Sequence, residues 1–427
     1  MNFKINLIKN IQKKKVKIGV IGLGYVGLPL VCLFLQNKYK VIGFDNDKKK
    51  IRNLKNKKSY IKHLQNQINQ INKSNFFPTS NYKFINDIDI IILCLPTPLK
   101  LNKSPDLSYI NNTLNLISKF LKKGQLIILE SSTYPGSTKK LIDPILKNKK
   151  FNIGKDFFVG YSPEREDPNN TKFTLVNIPK ICSGYTINCK EITGILYRKI
   201  IKKIVSVSDI KIAEFTKLYE NIYRSINIGL VNELKIVANK LNLNIYEIIN
   251  AAKTKPFGFQ PFYPGPGIGG HCIPIDPYYL SWIAKKNKVS TNLIYHAGKI
   301  NSLMPKWIIS ETLKKTELNK VLLIGVAYKK EVDDTRESPS LEFIKLLNKK
   351  KIKIDYHDPN VKSLKSRKLK KIYYSKPLNK KMLENYDCVF ILTDHKSINY
   401  NLIKSNSKLI VDTRNVYKKN DKMILKL

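Results

Sequence analysis

The chain has 427 residues, 42% of them hydrophobic, so it is long enough for two or three folded domains and too apolar to be disordered throughout. Its formal net charge of +45 raises the question of nucleic-acid binding, but the lysines are spread over the whole sequence, alternate with Asn and Ile, and accompany no nucleic-acid-reading motif. We therefore expect no dedicated nucleic-acid partner.

The N-terminal part alternates short apolar segments with longer helical ones, a rhythm typical of parallel α/β sheets whose strands are buried on both faces. The predicted strands are Val16–Ile21, Lys40–Phe44, Ile88–Cys94, Gln125–Leu129 and Phe157–Tyr161. The uncharged run Ile18–Leu35 has the length of a membrane span, but its four glycines and one proline favour a buried strand, a tight turn and the start of a helix. We expect neither a membrane segment nor an export signal.

One long helix is predicted from Asp209 to Leu241, because this segment contains no proline and places apolar residues at three- and four-residue steps. Helices of this length commonly connect domains or form a dimer interface. A second α/β rhythm follows and lacks a glycine-rich motif of the kind found near the N-terminus. Its predicted strands are Lys320–Val326, Lys353–Tyr356, Cys388–Leu392 and Leu409–Asp412.

The expected fold is therefore α/β, with two Rossmann-like doubly wound domains joined by a long central helix. The expected domains are residues 1–205, which bind a dinucleotide, residues 206–312, a helical dimerisation domain, and residues 313–427, a second α/β domain.

The motif Gly22-Leu23-Gly24-Tyr25-Val26-Gly27 lies between a predicted strand and a predicted helix, which is the context of a dinucleotide-binding fingerprint. The first glycine permits the tight turn, the second lets the backbone approach the pyrophosphate, and the third lets the helix pack against the strand. Asp45 follows the next strand, eighteen residues after Gly27, where a carboxylate accepts hydrogen bonds from the adenosine ribose and repels a 2′-phosphate. These features predict NAD, rather than NADP, as the cofactor.

The segment Pro264–Cys272 contains four glycines, so its backbone can wrap closely around a ligand and Cys272 lies on a loop. A loop cysteine in a dinucleotide enzyme is a candidate nucleophile, because a thiolate adds to an aldehyde. The alternatives are an incidental thiol or a metal ligand beside His271, but no second Cys/His pair lies nearby and we expect no metal. The six cysteines are widely spaced with no C-x-x-C pair, which indicates a reducing cytoplasm.

Three polar residues are further candidates. Asp276 lies four residues after Cys272 and is suited to orient a water molecule or a lysine. Lys217 and Asn221 are four residues apart on the predicted long helix and therefore share one face. From the residues alone, a solvated polar stripe is the simpler interpretation of that pair.

Six motifs in order resemble those of the UDP-glucose/GDP-mannose dehydrogenase family of nucleotide-sugar 6-dehydrogenases, from about Val16 to the region of Arg414. They are Gly22–Gly27, Pro96–Pro98, Ser131–Gly136, Tyr161–Arg165, Gly269–Cys272 and Asp334–Ser338. The resemblance implies a four-electron oxidation of a UDP-sugar C6 alcohol to a uronate, with NAD as the oxidant and with a thiohemiacetal and then a thioester at Cys272.

Within the family, three segments look most like bacterial UDP-N-acetyl-D-glucosamine 6-dehydrogenases of O-antigen and capsule synthesis: Ser162–Pro168, Lys255–Phe259 and Gly270–Pro277. UDP-glucose dehydrogenases typically carry a second glutamate four positions after the one that matches Glu164. Here that position is Pro168, which weakens the UDP-glucose interpretation and any role of that second carboxylate.

The resemblance also implies roles for individual residues. Lys217 and Asn221 would polarise the oxygen at C6 as charge develops. Asp276 and Thr133 would hold the hydrolytic water and Lys217, and Glu164 would act as the general base in hydrolysis.

The implied binding residues form two sets. The cofactor would contact Gly22, Gly24, Tyr25, Val26, Gly27, Asp45, Thr97, Thr133 and Arg336. The UDP-sugar would contact Glu164, Arg165, Lys217, Asn221, Tyr263, Gly269 and Lys329. The expected assembly is a homodimer or a higher homo-oligomer.

Other functions remain open from the sequence. A two-electron NAD dehydrogenase of the hydroxy-acid type would stop at a carbonyl and would not need Cys272. A non-catalytic binding protein could keep the same fold. Among substrates, UDP-N-acetyl-D-glucosamine is expected, and UDP-N-acetylgalactosamine, UDP-N-acetylmannosamine and UDP-glucose are the alternatives.

Overall fold

The computed structural model of the chain describes residues 2–61, 64–72, 74–166, 173–270, 273–419 and 421–427. The chain divides into two compact units, Met1–Glu220 and Asn221–Leu427, each with its own hydrophobic cores. The division lies within one long helix. The three-domain organisation expected from the sequence stays a prediction.

The first unit is built on an eight-stranded sheet. Its strands are β1 (Lys17–Ile21), β2 (Lys40–Phe44), β3 (Phe76–Thr79), β4 (Ile90–Leu93), β5 (Leu126–Leu129), β6 (Phe158–Tyr161), β7 (Lys180–Gly184) and β8 (Ile204–Ser206). Their order is β3-β2-β1-β4-β5-β6-β7-β8; the first six are parallel, β7 is antiparallel to β6, and β8 is parallel to β7. The six parallel strands have the order of a doubly wound dinucleotide-binding sheet, which reverses between β1 and β4.

Helices cover both faces of this sheet. They are α1 (Phe3–Gln12), α2 (Gly27–Gln36), α3 (Lys48–Lys55), α4 (Gln65–Asn69), α5 (Ser108–Ser118), α6 (Ser137–Asn148) and α7 (Ile187–Arg198). Alternate residues of β4 show why its sequence is uniformly apolar: Ile90 and Ile92 pack into one core, and Ile91 and Leu93 into the other.

The five strands predicted in this half are confirmed, whereas β3, β8 and β7 were not predicted. For β7 the structure shows a physical reason. Its first residue, Lys180, is a buried cation, and a charge inside a buried strand hides the apolar pattern. Lys180 Nζ lies 2.8 Å from Glu130 Oε2, and the Tyr197 hydroxyl donates to the same carboxylate. The charge is therefore paired and hydrogen-bonded, which makes its burial tolerable.

The long helix α8 (Ile210–Lys240) confirms the helix predicted from 209 to 241. It begins in the first unit and continues into the second. The division between the units falls between Glu220 and Asn221.

The second unit combines helices with a smaller sheet. Its helices are α9 (Ile245–Ala252), α10 (Asp276–Lys286), α11 (Asn292–Leu313), α12 (Pro339–Lys349), α13 (Lys380–Leu383) and α14 (Tyr400–Asn406). Its strands are β9 (Lys320–Ile324), β10 (Lys353–His357), β11 (Ser363–Leu364), β12 (Tyr373–Tyr374), β13 (Cys388–Ile391), β14 (Ile410–Asp412) and β15 (Ile424–Leu425). The parallel order β10-β9-β13-β14-β15 confirms a second doubly wound sheet, and β11 pairs antiparallel with β12.

Candidate active site

The loop between β1 and α2 has the backbone that a dinucleotide pyrophosphate requires. Gly22 has a φ of +93°, and a Cβ there would lie 2.3 Å from a main-chain oxygen of the loop after β4. A Cβ on Gly27 would lie 1.9 Å from the Gly22 oxygen, so this glycine lets α2 pack against the loop. At Gly24 an added Cβ would meet nothing within 4 Å, which leaves the backbone open to an approaching phosphate. Tyr25 and Val26, both half-buried, lead into α2 at its N-terminus, where the helix dipole favours an anion.

Asp45 lies directly after β2 and faces this glycine loop. Its Oδ2 atom accepts a hydrogen bond from the Leu23 amide at 3.0 Å and pairs with Lys50 Nζ at 3.0 Å, while Oδ1 accepts from the Asp47 amide at 2.9 Å. Sequence analysis missed Lys50, although its position five residues after Asp45, in the first turn of α3, could have drawn attention to it. Its ammonium partly offsets the repulsion that the Asp45 carboxylate exerts on a 2′-phosphate.

Thr97 and Thr133 follow the neighbouring parallel strands β4 and β5, whose carboxyl ends lie at the same edge of the sheet as the glycine loop. Both residues are buried, with 3% and 0% of their surface exposed. The Thr133 hydroxyl donates to Glu214 Oε1 over a long 3.5 Å. Thr133 is therefore oriented by helix α8, which carries Glu214.

Glu214, which the sequence analysis missed, caps the N-terminus of α6. Its carboxylate accepts hydrogen bonds from the Gly136 amide, the Ser137 hydroxyl at 3.0 Å, and the Thr138 amide and hydroxyl at 2.9 and 2.6 Å. Burial raises the pKa of this fully buried carboxyl, and the hydrogen bonds oppose that shift. Sequence spacing offers little indication of this role for Glu214, because its partners lie more than seventy residues away along the chain.

The next turn of α8 carries Lys217, and the turn after it carries Asn221. Both side chains are buried, 7% and 6% exposed, so they do not belong to a solvated stripe. The Asn221 Nδ2 atom donates to Asp276 Oδ2 at 2.5 Å, and Asp276 is 1% exposed at the start of α10. The structure thus brings Asn221 and Asp276 together within the second unit.

Glu164 and Arg165 lie in the loop after β6, within the first unit. The Glu164 side chain is half-buried, and its charge adds to the effects of burial and of Glu130 in raising the pKa of Cys94. Arg165 forms an ion pair with Glu220 of α8, Nη2 to Oε1 at 2.6 Å. Pro168 lies outside the described residues.

The second glycine-rich loop is packed against the segment that follows β9. A Cβ on Gly269 would lie 2.7 Å from the Tyr328 Cβ atom, so only glycine fits there. The Gly270 amide donates to the Arg336 main-chain oxygen at 3.0 Å. His271 and Cys272, which follow directly, lie outside the described residues.

The remaining predicted binding residues lie on the surface of the second unit. Tyr263 is 50% exposed and precedes the glycine-rich loop. Lys329 is half-buried in the segment after β9. The Arg336 guanidinium pairs with Asp334, Nη2 to Oδ2 at 2.6 Å, and its side chain is 47% exposed.

The second sheet also has a carboxylate at the position that Asp45 holds in the first sheet. The oxygens of that carboxylate already accept hydrogen bonds from the protein. Asp358 follows β10 and accepts hydrogen bonds from the Val326, Ala327, Asn360 and Val361 amides and from the buried His395 ring. Although burial alone would raise its pKa, the contact with His395 and the amides lowers it. Asp358 has no lone pair left for a ribose, so the dinucleotide features belong to the first sheet.

A cavity of about 530 Å³ lies in the second unit, which is the volume of a small-molecule site. Its walls come mainly from α10 and α11. Ile268 and Ile273, on either side of the segment that contains Cys272, also line it.

The described part of the chain contains no cluster of three or more His, Cys, Asp or Glu side chains suited to a metal ion. Nor do its described helices include one that is long and apolar enough to span a bilayer. The five cysteines that the structure describes are all buried. Burial raises the pKa of Cys32 and of Cys182 to about 12, and raises the pKa of Cys94 and Cys388 as well.

Models of three domains of the UDP-glucose/GDP-mannose dehydrogenase family match the chain in order. The NAD binding domain matches residues 16–201, the central domain residues 211–303, and the UDP binding domain residues 322–419.

Individual proteins are similar over nearly the whole chain. UDP-N-acetyl-D-glucosamine 6-dehydrogenase of Salmonella typhi is 33% identical over 392 residues, 90% of each chain. UDP-N-acetyl-D-mannosamine dehydrogenase of Pyrococcus horikoshii is 31% identical over 417 residues, 94% of this chain and 96% of the relative. The solved structure of the UDP-D-ManNAc dehydrogenase from Pyrococcus horikoshii superimposes with a TM-score of 0.87 at 30% identity, covering 96% of this chain and 98% of that one.

Proposed function

This chain belongs to the UDP-glucose/GDP-mannose dehydrogenase family of NAD-dependent nucleotide-sugar dehydrogenases, and we propose that it oxidises the C6 alcohol of a UDP-N-acetylhexosamine to the carboxylate. The observation that carries the proposal is the hydrogen bond of 2.5 Å between Asn221 and Asp276. It joins the helix that would polarise the C6 oxygen to the segment that begins four residues after Cys272.

The first sheet supplies the cofactor site. NAD, when bound, accepts the hydride released in each of the two oxidations. The open backbone at Gly24 and the N-terminus of α2 would hold its pyrophosphate, and Asp45 would accept hydrogen bonds from its ribose. Thr97 and Thr133, buried at the same edge, would line the nicotinamide end.

Lys217 and Asn221 would stabilise the oxygen at C6 as it gains negative charge. Both are buried donors on one rigid helix, so they need little reorganisation when the charge develops. Asp276 fixes the Asn221 amide, which leaves its remaining donor capacity for substrate.

Cys272 would carry the second half of the reaction. Its thiolate adds to the C6 aldehyde, the thiohemiacetal loses a hydride and becomes a thioester, and water then releases the carboxylate and the thiolate. Glu164 would take the proton of that water. Burial raises the pKa of four described cysteines, Cys32, Cys94, Cys182 and Cys388, and the fifth, Cys189, is also buried. Their burial supports Cys272 as the nucleophile. In total, one sugar alcohol, two NAD⁺ and one water give one uronate, two NADH and three protons.

For the sugar, we propose UDP-N-acetyl-D-glucosamine. The segments around Glu164, Lys255 and Cys272 support it, as does the similarity to the Salmonella typhi enzyme. The second candidate is its C2 epimer, UDP-N-acetyl-D-mannosamine, which the similarity to the Pyrococcus horikoshii dehydrogenase supports equally. UDP-N-acetylgalactosamine and UDP-glucose are the further alternatives.

The UDP part of the substrate would bind to the second unit. Gly269, Tyr263 and Lys329 lie on or near the glycine-rich loop and the segment after β9. The uronate product would enter surface polysaccharides, and the reaction would take place in the cytoplasm, where a catalytic thiol stays reduced.

We also propose that the chain forms a homodimer through α8. The solvent-facing side of this helix carries large apolar residues at three-, four- and seven-residue spacing: Ile212, Phe215, Tyr219, Tyr223, Leu230, Leu234 and Val237. Each is roughly half exposed, and together they offer on the order of 700 Å², which approaches one partner's share of a standard interface. A second copy presents the same stripe, as a two-fold interface requires.

A substrate panel tests the activity. Purified protein is incubated with NAD and each of the four UDP-sugars, and NADH absorbance is followed together with mass analysis of the product. We expect a UDP-uronate from one of the N-acetylhexosamines at the highest kcat/KM. Absence of a uronate from all four sugars would refute the proposal, and a two-electron carbonyl product would favour the hydroxy-acid type of enzyme.

A further inference from the structure

Arg165 is held by Glu220 through a two-point contact. The Nη2 atom of Arg165 lies 2.6 Å from Oε1 of Glu220, and Nε donates to Oε2 at 3.2 Å. The third nitrogen, Nη1, donates to the main-chain oxygen of Pro179 at 2.6 Å. All three nitrogens of the guanidinium therefore have a protein partner, which fixes the plane of the group as well as its position.

The three partners come from three different segments. Arg165 lies in the loop after β6, Pro179 lies just before β7, and Glu220 lies on α8. Along α8, Glu220 is three residues after Lys217, so the two are within one turn of each other. Along the loop, Arg165 is the direct neighbour of Glu164. The ion pair thus fixes the loop that bears the proposed base to the turn that bears the proposed oxyanion-polarising lysine.

We propose that Glu220 is a positioning residue, which acts through Arg165 to set the distance between Glu164 and Lys217; the inference rests on the proposed 6-dehydrogenase activity. When the carboxylate is replaced by an amide, the ion pair is lost and a single oxygen is left to accept from two Arg165 nitrogens, so Glu164 is held less firmly in register with α8. A misplacement of about 1 Å is enough to slow a reaction by roughly 100-fold. The step that suffers most is thioester hydrolysis, since this is the step that Glu164 serves.

The pair contributes little to the stability of the fold, which makes the inference testable. Both side chains are partly exposed, 27% for Arg165 and 30% for Glu220, and ion pairs in such positions stabilise proteins weakly. The start of the loop has a separate anchor, because the buried Ser162 hydroxyl donates to the Ile181 oxygen at 2.7 Å. Loss of the Glu220 charge should therefore leave the first unit folded.

The test compares Glu220→Gln, Glu220→Asp and wild type. For Glu220→Gln we expect kcat to fall by about 10- to 100-fold, because thioester hydrolysis follows both hydride transfers, with the Kd for NAD changed less than about two-fold. Intact-mass analysis during turnover should show an acyl-enzyme that accumulates in Glu220→Gln and not in wild type. Glu220→Asp, which keeps the charge, should recover part of the activity. A purely structural residue would lower the amount of active protein and would leave the distribution of intermediates unchanged.

The matched control is Glu191→Gln on α7. It breaks the Lys4–Glu191 ion pair, which is equally short at 2.6 Å and similarly exposed, at 26% and 46%. We expect this variant to keep wild-type kinetics. Wild-type kinetics in Glu220→Gln, or a loss of activity without acyl-enzyme that matches a loss of folded protein, would overturn the inference while the wild-type activity stands. Absence of turnover in the wild type would instead overturn the proposed function, and this inference with it.

Discussion

At the scale of single residues, the surroundings of each cysteine decide whether its thiol is reactive. Cys32 and Cys182 lie among apolar neighbours, and burial raises the pKa of each thiol to about 12. Such thiols behave as small hydrophobic groups and do not attack carbonyl carbons near neutral pH. Cys272 follows a glycine-rich loop in which Gly270 has a φ of +89°, so the chain reaches it through a backbone that most residues cannot adopt.

Replacement of this cysteine should separate the two half-reactions. In Cys272→Ser, the hydroxyl is a far poorer nucleophile near neutral pH, so steady turnover should fall by several orders of magnitude. Binding of NAD and of the UDP-sugar should change little, because Asp45, Lys217 and Asn221 are untouched. Turnover is measured by NADH absorbance and binding by calorimetry. Turnover near the wild-type rate would mean that Cys272 is an incidental thiol.

Cofactor choice is the second prediction at this scale. Asp45→Ala removes the carboxylate that faces the glycine loop and leaves Lys50 without its partner at 3.0 Å. We expect the KM for NAD to rise by roughly 10-fold, since a charge-assisted hydrogen bond is lost, and the KM for NADP to fall as Lys50 becomes available to a 2′-phosphate. Steady-state kinetics with NAD and with NADP measure the two KM values. A wild-type protein that already prefers NADP would refute the role assigned to Asp45.

At the scale of elements, α8 departs from the usual amphipathic pattern of a helix in a folded protein. Its buried face mixes polar and apolar residues, and its exposed face carries large apolar ones. The buried polar residues are Glu214, Lys217, Asn221, Ser225, Asn232 and Lys235. Buried polar groups need hydrogen-bond partners, and several on this face pair with neighbouring segments: Glu214 with Thr138, Asn221 with Asp276, and Asn232 with Asn301. This face therefore combines hydrophobic burial with a set of hydrogen bonds that align α8 with its neighbours.

Lys235, a buried lysine of α8, makes the stability of the fold depend on pH. Lys235 is 5% exposed, and its Nζ donates to the Lys426 main-chain oxygen at 2.5 Å. Burial lowers the pKa of Lys235 from 10.5 to about 8, while nearby Asp412 partly opposes that shift. Below pH 8 the lysine is charged in both the folded and unfolded states. Between about pH 8 and pH 10.5 the unfolded chain binds a proton that the folded chain has released, so the free energy of unfolding should rise with pH.

Lys235→Met tests this effect. Relative to the variant, the wild type should gain about 2–3 kcal/mol of unfolding free energy between about pH 7.5 and pH 10.5. Urea denaturation at several pH values within this range gives the difference directly. A difference that stays constant over the range would show that the pKa of Lys235 is not lowered in the folded protein.

The main elements could be predicted from local sequence patterns. The contacts between residues far apart in the chain could not. The motif around Gly22, the position of Asp45 and the length of α8 all follow from spacing within one segment. The pairs Glu214 with Thr138, Arg165 with Glu220, and Lys180 with Glu130 join residues fifty or more positions apart, so no local pattern announces them. The polar face of α8 was noticed, but only the structure shows that it is buried.

At the scale of the whole molecule, the chain carries two doubly wound sheets with different tasks. In the first, Asp45 faces an open glycine loop. In the second, Asp358 is saturated by amides and by His395, so the equivalent edge is held rigid and is not built for a dinucleotide. This division is consistent with the matches to an NAD binding domain at 16–201 and to a UDP binding domain at 322–419.

The proposed dimer gives a prediction at the same scale. Leu234, in the middle of the exposed stripe of α8, is 46% exposed. Leu234→Lys should shift the mass measured by light scattering from a dimer to the 49.3 kDa monomer, because it places a charge in an apolar interface. Leu116→Lys on α5, where Leu116 is 44% exposed outside the stripe, is the matched control and should leave the dimer intact. A monomeric wild type would refute the proposal.

The central claim is that one active site oxidises the same carbon twice through a covalent intermediate on Cys272. The ratio of NADH formed to UDP-sugar consumed tests it most directly, measured by absorbance and by mass analysis of the same sample. We expect two NADH for each UDP-sugar, with the uronate as the product and no aldehyde released. A ratio of one, with an aldehyde or ketone that accumulates, would contradict it.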